Sequence, residues 1–187
     1  MIKIATAECF THGKIGRELH AIAQNYKGSF GRDYIENPAD YGDFDYSELS
    51  VTCSLFIPTI DAVIKILNVE NPPKPDKLIK GIKVYDEAGD KAVSKIMAYA
   101  VKDLTDCDIA IGTTAGIGYG GISIISDKYE ITTTTSVYAD LSENESETLF
   151  KRSDDGIRKA LKIILLLLNN KIDKIERMEN IEIIEKE

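Results

Sequence analysis

The stretch Met1–His20, MIKIATAECFTHGKIGRELH, indicates the kind of fold to which this chain belongs. It begins with an apolar run at residues 2–7, which is short enough to be a buried strand. After a break at residues 8–13, apolar side chains return at helical spacing, at Ile15, Leu19, Ile22 and Ala23. The stretch therefore predicts a strand, a tight turn that contains Cys9, and a helix.

Cys9 is the first candidate for chemistry, because it comes just before the predicted helix. A helix N-terminus carries a partial positive charge and unpaired N–H groups, and both stabilise a thiolate. A cysteine in this place can therefore be a nucleophile. Thr11 is a candidate N-cap residue whose hydroxyl could also face a ligand. The alternative is that Cys9 is a small buried hydrophobe, the usual role of a lone cysteine.

Composition limits the possible functions. The 187 residues, 43% hydrophobic and 29% charged, predict one soluble domain over residues 1–187. A net charge of −8 argues against non-specific binding of nucleic acid. Cys9, Cys53 and Cys107 are too widely spaced for a disulfide framework or a zinc site, and they favour a reducing cytoplasm. The apolar runs are too short for a signal peptide or a membrane span, so no membrane association is expected.

Short apolar runs alternate with helical patterns along the rest of the chain. Strands are predicted at residues 49–56, 78–84, 108–112, 122–125 and 129–137. Helices are predicted at residues 58–67, 87–104 and from the acidic stretch 142–147 through 169. The tail from Ile172 is compatible with either a short helix or an edge strand. The pattern predicts an α/β fold with a mixed β-sheet flanked by helices in three layers.

Residues 26–50 contain many glycines, aspartates and aromatics but few aliphatic side chains. They predict a long irregular excursion, and such loops in compact domains often bind ligands or close over them. The aromatic side chains are suited to stacking on a flat ring. The competing interpretation is that they attach the loop to the body of the protein.

A second candidate site is the glycine-rich segment after the predicted strand at 108–112. Glycines allow a backbone to approach a ligand closely, and exposed N–H groups there can hold a phosphate or carboxylate. The pattern is neither the dinucleotide fingerprint, which opens a helix, nor a Walker A loop, so a simple turn is an equal alternative. Ligands of open α/β sheets bind at the carboxyl ends of strands, which places this segment and residues 9–12 in one crevice. His12 is then either an acid or base, or a surface histidine.

Two segments carry a resemblance to a known family. TAECFTHGKIGRE and IGTTAGIGYGGISI resemble the HcgF family, small proteins of methanogenic archaea that act in biosynthesis of the iron-guanylylpyridinol (FeGP) cofactor of the iron-only hydrogenase. The resemblance runs from Met1 to about Asp140. It implies that Cys9 attacks the carboxylate of guanylylpyridinol after a partner enzyme has adenylated it. AMP would leave, and a thioester to Cys9 would prepare the acyl ligand of iron.

The same resemblance implies a set of contacts with this substrate. No tightly bound cofactor and no metal are expected; the adenylate of guanylylpyridinol is a substrate, and the adenylating enzyme is the partner. The sequence is compatible with a homodimer and does not determine the oligomeric state. The predicted ligand-binding residues are Glu8, Phe10, Thr11, His12, Gly13, Thr113, Thr114, Ala115, Gly116, Ile117, Gly118, Tyr119 and Gly120.

A more distant resemblance links both segments to the deamidase domain of CinA. That family has a Glu-Ser-Cys-Thr-Gly-Gly turn after its first strand, whereas this chain has Glu8-Cys9-Phe10-Thr11-His12-Gly13. The resemblance implies the fold of the CinA C-terminal domain. It also leaves two alternatives to the acyl transfer: an amidohydrolase of nicotinamide-mononucleotide type, and a carrier that binds guanylylpyridinol without reacting.

Overall fold

A computed structural model describes residues 1–35, 41–143 and 145–186. The strands are β1 (Ile2–Glu8), β2 (Leu49–Phe56), β3 (Lys77–Ile79), β4 (Ile82–Val84), β5 (Ile109–Thr114), β6 (Ile117–Gly118), β7 (Gly121–Ile125), β8 (Tyr129–Thr133), β9 (Ala139–Asp140) and β10 (Ile181–Glu185). The helices are α1 (Lys14–Ala23), α2 (Ile60–Lys65), α3 (Glu87–Thr105), α4 (Ser146–Leu168) and α5 (Ile172–Glu176). Short 3-10 helices occupy Gly31–Tyr34 and Tyr46–Glu48.

Within these ranges, six strands form one sheet in the order β10-β8-β7-β5-β1-β2. β1 runs parallel to β2 and β5, whereas β7, β8 and β10 continue the sheet through antiparallel pairs. The remaining strands form two small pairs, β3 with β4 and β6 with β9. The predicted α/β class with a mixed sheet is confirmed.

Alternation along β1 separates the two faces of the sheet. Ile4 belongs to a core shared with the apolar faces of α1 and α4. Ala5 and Ala7 point the other way, into a second core with side chains of α2 and α3. This period of two is what a strand buried on both faces requires, and it places the sheet between two helical layers.

The three parallel strands end at the same level. Glu8, the last residue of β1, is in register with Phe56 of β2 and with Thr113 of β5. Chain segments that follow these strands therefore emerge side by side at one edge of the sheet. Cys9 and the segment after β5 are brought together in this way.

Several predicted boundaries were wrong for identifiable reasons. The helix predicted at 58–67 is only α2, because the Thr59 hydroxyl caps it by accepting a hydrogen bond from Ala62 N–H at 3.2 Å. The strand predicted at 78–84 is two strands, since Lys80 and Gly81 have positive φ and turn the chain between β3 and β4. These are local turn features that hydrophobic patterns do not reveal.

Other differences concern strand ends and the tail. β5 continues to Thr114, beyond the predicted end at residue 112, because it pairs with both β1 and β7. β8 ends at Thr133 instead of residue 137. The tail contains both of the predicted alternatives, since the short helix α5 is followed by the edge strand β10.

The excursion at 26–50 is irregular where the structure describes it, and residues 36–40 lie outside the described ranges. Tyr34, Tyr41, Phe44 and Tyr46 pack against the core, which favours an attaching role for these rings. Tyr26 and Phe30 are exposed. No helix in the described part of the chain is long and apolar enough to cross a membrane.

Candidate functional site

Cys9 lies immediately beyond β1, at the edge where the parallel strands end. Its backbone N–H donates both to the carbonyl oxygen of Thr113, at 2.9 Å, and to the Thr113 hydroxyl, at 3.2 Å. The residue is 5% exposed. The backbone position of Cys9 is therefore set by Thr113, close to the end of β5.

The side chain of Glu8 binds the N-terminal end of α1. Its fully buried carboxylate accepts hydrogen bonds from the backbone N–H groups of Ile15 and Gly16, at 3.1 and 2.9 Å. The Thr11 hydroxyl donates to the same carboxylate at 2.6 Å. Burial raises the pKa of Glu8, and these donors oppose the rise. The positive end of α1 is thus already occupied by a carboxylate.

This arrangement corrects two predictions. The N-cap of α1 is Gly13, with φ of 75° and no side-chain cap, so Thr11 is not the N-cap. A left-handed residue at this point suits glycine, which adopts positive φ without steric cost. The Thr11 hydroxyl instead lies 2.8 Å from that of Thr113, linking Glu8 to the residue that holds the Cys9 backbone. The helix N-terminus is not an empty anion site beside the thiol.

His12 projects from the turn with φ of 56° and is exposed. Its ring meets Phe56 edge-on, at a centroid distance of 5.6 Å, and Phe150 at 6.3 Å. Its Nδ1 lies 3.5 Å from the hydroxyl of Ser153. Burial and the positive charge of Lys14 lower the pKa of His12. At neutral pH the ring is therefore mainly uncharged, and it takes part in an aromatic group at the end of β2.

The glycine-rich segment is held by the two helical layers from opposite sides. The N–H of Gly116 donates to the Asp90 carboxylate of α3 at 2.7 Å. The N–H of Ile117 donates to the Tyr85 carbonyl at 2.9 Å. Both groups therefore bind protein acceptors, which corrects the expectation that they are exposed to hold a phosphate.

The close approach that requires glycine at position 116 is also made within the protein. A Cβ atom there would lie 2.5 Å from the Tyr85 carbonyl oxygen and 2.6 Å from its nitrogen. Gly116 therefore packs the segment against the start of α3. Ligand contacts of residues 113–120 stay a prediction.

Arg152 of α4 holds the other side of the segment and was not predicted from the sequence. Its guanidinium, 1% exposed, donates through Nη1 to the carbonyls of Gly116, Gly118 and Ala139, at 3.2, 2.8 and 2.8 Å. Its Nε is buried and makes no hydrogen bond within the described residues. Burial lowers the pKa of Arg152, whereas interactions with Asp90 and Cys9 act in the opposite direction. A buried positive charge therefore lies within electrostatic reach of the thiol.

Asp90 completes a buried polar cluster behind the segment. Burial raises its pKa to about 7, against the effects of the Gly116 N–H, Arg152 and Lys83. Thr114 lies near enough to lower that pKa, yet neither Asp90 Oδ1 nor Thr114 Oγ1 completes a hydrogen bond among the described residues. This cluster joins both helical layers to the segment after β5.

Exposed aromatic side chains form two groups around this region. His12, Phe56 and Phe150 make the first, and the two phenylalanines are 53% and 62% exposed. Tyr119 and Tyr138, with ring centroids 5.7 Å apart, make the second. Tyr138 lies within electrostatic reach of Arg152. Exposed rings next to a buried cysteine suit a flat ligand.

Some of these residues had a signal in the sequence. Phe56 ends a predicted strand parallel to β1, so its place at the same edge follows from the strand-end rule. Arg152 and Ser153 fall at helical spacing with Gly156, Ile157 and Ala160, which indicates a buried face. Asp90 had no such signal, because an acidic residue in the first turn of a helix is usually exposed. In the described ranges, no group of three His, Cys, Asp or Glu side chains could hold a metal ion.

Comparison with known proteins identifies the family of this chain. Residues 1–168 match the model of the family described as FeGP cofactor biosynthesis protein HcgF. A UPF0254 protein of Methanothermobacter thermautotrophicus (strain Winter) is 44% identical over 165 residues, 88% of this chain and 94% of that protein. A UPF0254 protein of Methanopyrus kandleri is 36% identical over 183 residues, which are 97% of this chain and 96% of that protein. The chain therefore belongs to the HcgF family, which acts in biosynthesis of the FeGP cofactor.

Proposed function

We propose that the chain forms a thioester between Cys9 and the carboxyl group of guanylylpyridinol, after a partner enzyme has converted that carboxyl group to its adenylate. The observation that carries the proposal is the position of Cys9 at the end of three parallel strands, with Arg152 buried nearby. Family membership supplies the cofactor pathway. The chain is on this proposal a cysteine-dependent enzyme of acyl-transfer type.

The chemistry needs few protein groups. The Cys9 thiol loses its proton to solvent, and Sγ forms a bond to the carboxyl carbon. The bond from that carbon to the AMP oxygen breaks, and AMP leaves with the electron pair. Because AMP is a good leaving group, a nucleophile and stabilisation of the developing oxyanion suffice. Arg152 supplies a positive charge for this purpose, in place of the helix N-terminus that Glu8 occupies.

Substrate recognition is assigned to the exposed rings. Guanine and pyridinol are both flat, and aromatic side chains stack on such rings largely independently of their substituents. His12, Phe56 and Phe150 lie beside the strand end that leads to Cys9, and Tyr119 and Tyr138 lie on the glycine-rich side. The two groups suit the two ring systems of one ligand.

Intact-protein mass spectrometry tests this proposal. The protein is incubated with guanylylpyridinol, ATP and the adenylating partner, and the same is done with Cys9→Ser and Cys53→Ser. We expect a covalent adduct in the wild type and in Cys53→Ser, and none in Cys9→Ser. The serine hydroxyl is nearly the same size as the thiol but a far weaker nucleophile without a strong base, so ligand binding by Cys9→Ser should persist.

The other outcomes discriminate between functions. Unchanged mass with saturable binding would assign the chain a carrier role. Release of ammonia from nicotinamide mononucleotide would assign an amidohydrolase. An ester of near wild-type yield on Cys9→Ser would contradict a thiolate mechanism and point to His12 as a base.

A further inference from the structure

A basic groove of about 830 Å³ lies on the side of the molecule formed by α4 and α5. Its positive side chains are Arg158, Lys159 and Lys162 of α4, Lys174 of α5, and Arg177 directly after α5. The whole chain carries a net charge of −8, so this cluster opposes the average charge of the molecule. Cationic side chains repel one another, and gathering them around one concavity favours an anion there.

The acidic residues of the basic groove do not balance these charges. Asp155 accepts hydrogen bonds from the backbone N–H and hydroxyl of Ser136, at 2.8 and 3.0 Å. Glu179 is the second acidic residue of the lining. Among the described residues, the lining carries five positive and two negative side chains, and Arg158 is also paired at 2.9 Å with Asp154 outside the lining, so an excess of positive charge remains.

The cations differ in how firmly the protein holds them. Lys159 donates to the carbonyl oxygens of Thr134 and Glu179, both at 2.8 Å, and so joins α4 to the tail. Lys162 is exposed, and Arg177, which is 80% exposed, forms a long ion pair of 3.7 Å with Asp173. An exposed ion pair of this kind contributes little to the free energy of folding, so the Arg177 side chain can leave it. Lys162 and Arg177 can therefore both turn toward a ligand.

Apolar side chains in the lining indicate that the ligand has an apolar part besides its anionic group. Met178, which is partly buried, lines the same groove, whereas Leu166 is 2% exposed and contributes little surface. The volume of the groove falls in the range of small-molecule sites, which combine apolar surface with a few placed polar groups. An extended acidic polypeptide would be expected to bind a flatter and larger surface.

We propose that the basic groove binds a phosphate-bearing small molecule of nucleotide type, with the phosphates at Lys162 and Arg177 and the base against Met178. This site is separate from the Cys9 chemistry and does not depend on it. Lys174 and Arg177 lie beyond residues 1–168, the part matched by the family model. The groove is thus built in part from a segment outside that common unit.

Calorimetric titration of the full chain at low ionic strength with ATP, GMP and inorganic pyrophosphate tests the proposal. The variants are Lys162→Gln, Arg177→Gln and the double variant, with Lys65→Gln as a control that removes the same charge from an exposed position on α2. We expect saturable binding of at least one nucleotide, weakened about tenfold in the double variant, because charge-assisted hydrogen bonds to phosphate are lost. Lys65→Gln should bind as the wild type does.

Three results would overturn the proposal. The first is no saturable nucleotide binding by the wild type. The second is equal binding by wild type and double variant, with both folded by circular dichroism. The third is loss of nucleotide binding after alkylation of Cys9, which would place the anion at the Cys9 site. Stronger binding of pyrophosphate than of any nucleotide would support the phosphate contacts and remove the base from the assignment.

Discussion

Arg152 is the residue on which most of the site geometry depends. Its guanidinium reaches four carbonyl groups from two different segments, residues 115–118 and Ala139, while fully buried. Taking a cation out of water costs several kcal/mol unless its donors are used and opposite charge is near. Here the carbonyl oxygens and Asp90 offset that cost. The same charge lies within electrostatic reach of Cys9, so it would incur no further desolvation cost in the proposed acyl transfer.

Replacing Arg152 by lysine tests both of its roles. A lysine has one terminal nitrogen on a shorter side chain, so it cannot occupy the positions of both Nη1 and Nη2 and cannot keep all of their contacts. We expect Arg152→Lys to lower the free energy of unfolding by roughly 2–4 kcal/mol. We also expect thioester formation to slow by about tenfold or more, through weaker support of the oxyanion. Denaturant titration and single-turnover mass spectrometry measure the two effects.

Arg158→Lys is the matched control, since Arg158 lies on the same helix but is exposed and paired with Asp154. It should change the free energy of unfolding by less than about 0.5 kcal/mol and leave the rate of thioester formation unchanged. A folded Arg152→Lys protein that reacts at the wild-type rate would limit Arg152 to a structural role.

At the scale of elements, the segment after β5 is a bridge between the two helical layers. Asp90 of α3 accepts its Gly116 N–H, and Arg152 of α4 donates to its carbonyls. Tyr85, just before α3, packs against Gly116. The shape of the segment is therefore imposed by its supports, while its Tyr119 ring stays 39% exposed.

Two substitutions in this segment separate packing from ligand contact. Gly116→Ala places a Cβ against the Tyr85 backbone, which cannot move aside as a flexible side chain does. We expect it to lower the free energy of unfolding by about 1–3 kcal/mol. Tyr119→Ala should lower stability by less than about 0.5 kcal/mol but weaken guanylylpyridinol binding. Equal stability of Gly116→Ala and the wild type would refute the packing role.

How much of this could be predicted from the sequence differs between elements. β1 and α3 were predictable, because β1 is a short apolar run before a turn and α3 has a regular apolar face opened by an Asp86 cap. The approach of Cys9 to Thr113 followed from the strand-end rule. The occupation of the α1 N-terminus by Glu8 was not predictable, since it depends on where a strand side chain points after the turn.

The buried polar cluster could not be predicted from the hydrophobic pattern of the sequence either. Asp90 and Lys83 are polar in sequence but fully buried, because Asp90 binds the segment after β5 and Lys83 binds carbonyl oxygens of the segment after β2. Polar residues are buried when their hydrogen bonds are made across elements, and such pairs are separated in sequence. The basic groove is of the same kind, because α4 and α5 contribute its charges from different parts of the chain.

At the scale of the whole molecule, the chain has a net charge of −8, yet it buries charged side chains of both signs. Lys83 donates to the carbonyl oxygens of Ile57 and Pro58, at 2.9 and 3.3 Å, and lies within electrostatic reach of Asp90. Arg152 is within the same reach. A molecule that buries a carboxyl group in this way has a stability that depends on pH between the unfolded and folded pKa values of that group.

The direction of this dependence follows from Asp90. Burial raises its pKa from 3.8 to about 7, so between these values the folded protein keeps a proton that the unfolded chain has released. The folded state then binds more protons, and the free energy of unfolding contributed by Asp90 falls as pH rises from about 4 to about 7 and levels off above that. Glu8 acts in the same direction, since burial raises its pKa as well.

Asp90→Asn removes the titration while keeping an acceptor for the Gly116 N–H. Its free energy of unfolding should therefore decline less between about pH 5 and about pH 8 than that of the wild type. Urea titrations at several pH values in this range measure the slope. Asp103→Asn, an exposed change on the same helix, should reproduce the wild-type slope. If wild type and Asp90→Asn decline equally, Asp90 is ionised in the folded protein throughout this range, and the positive charges of Arg152 and Lys83 then stabilise its negative charge.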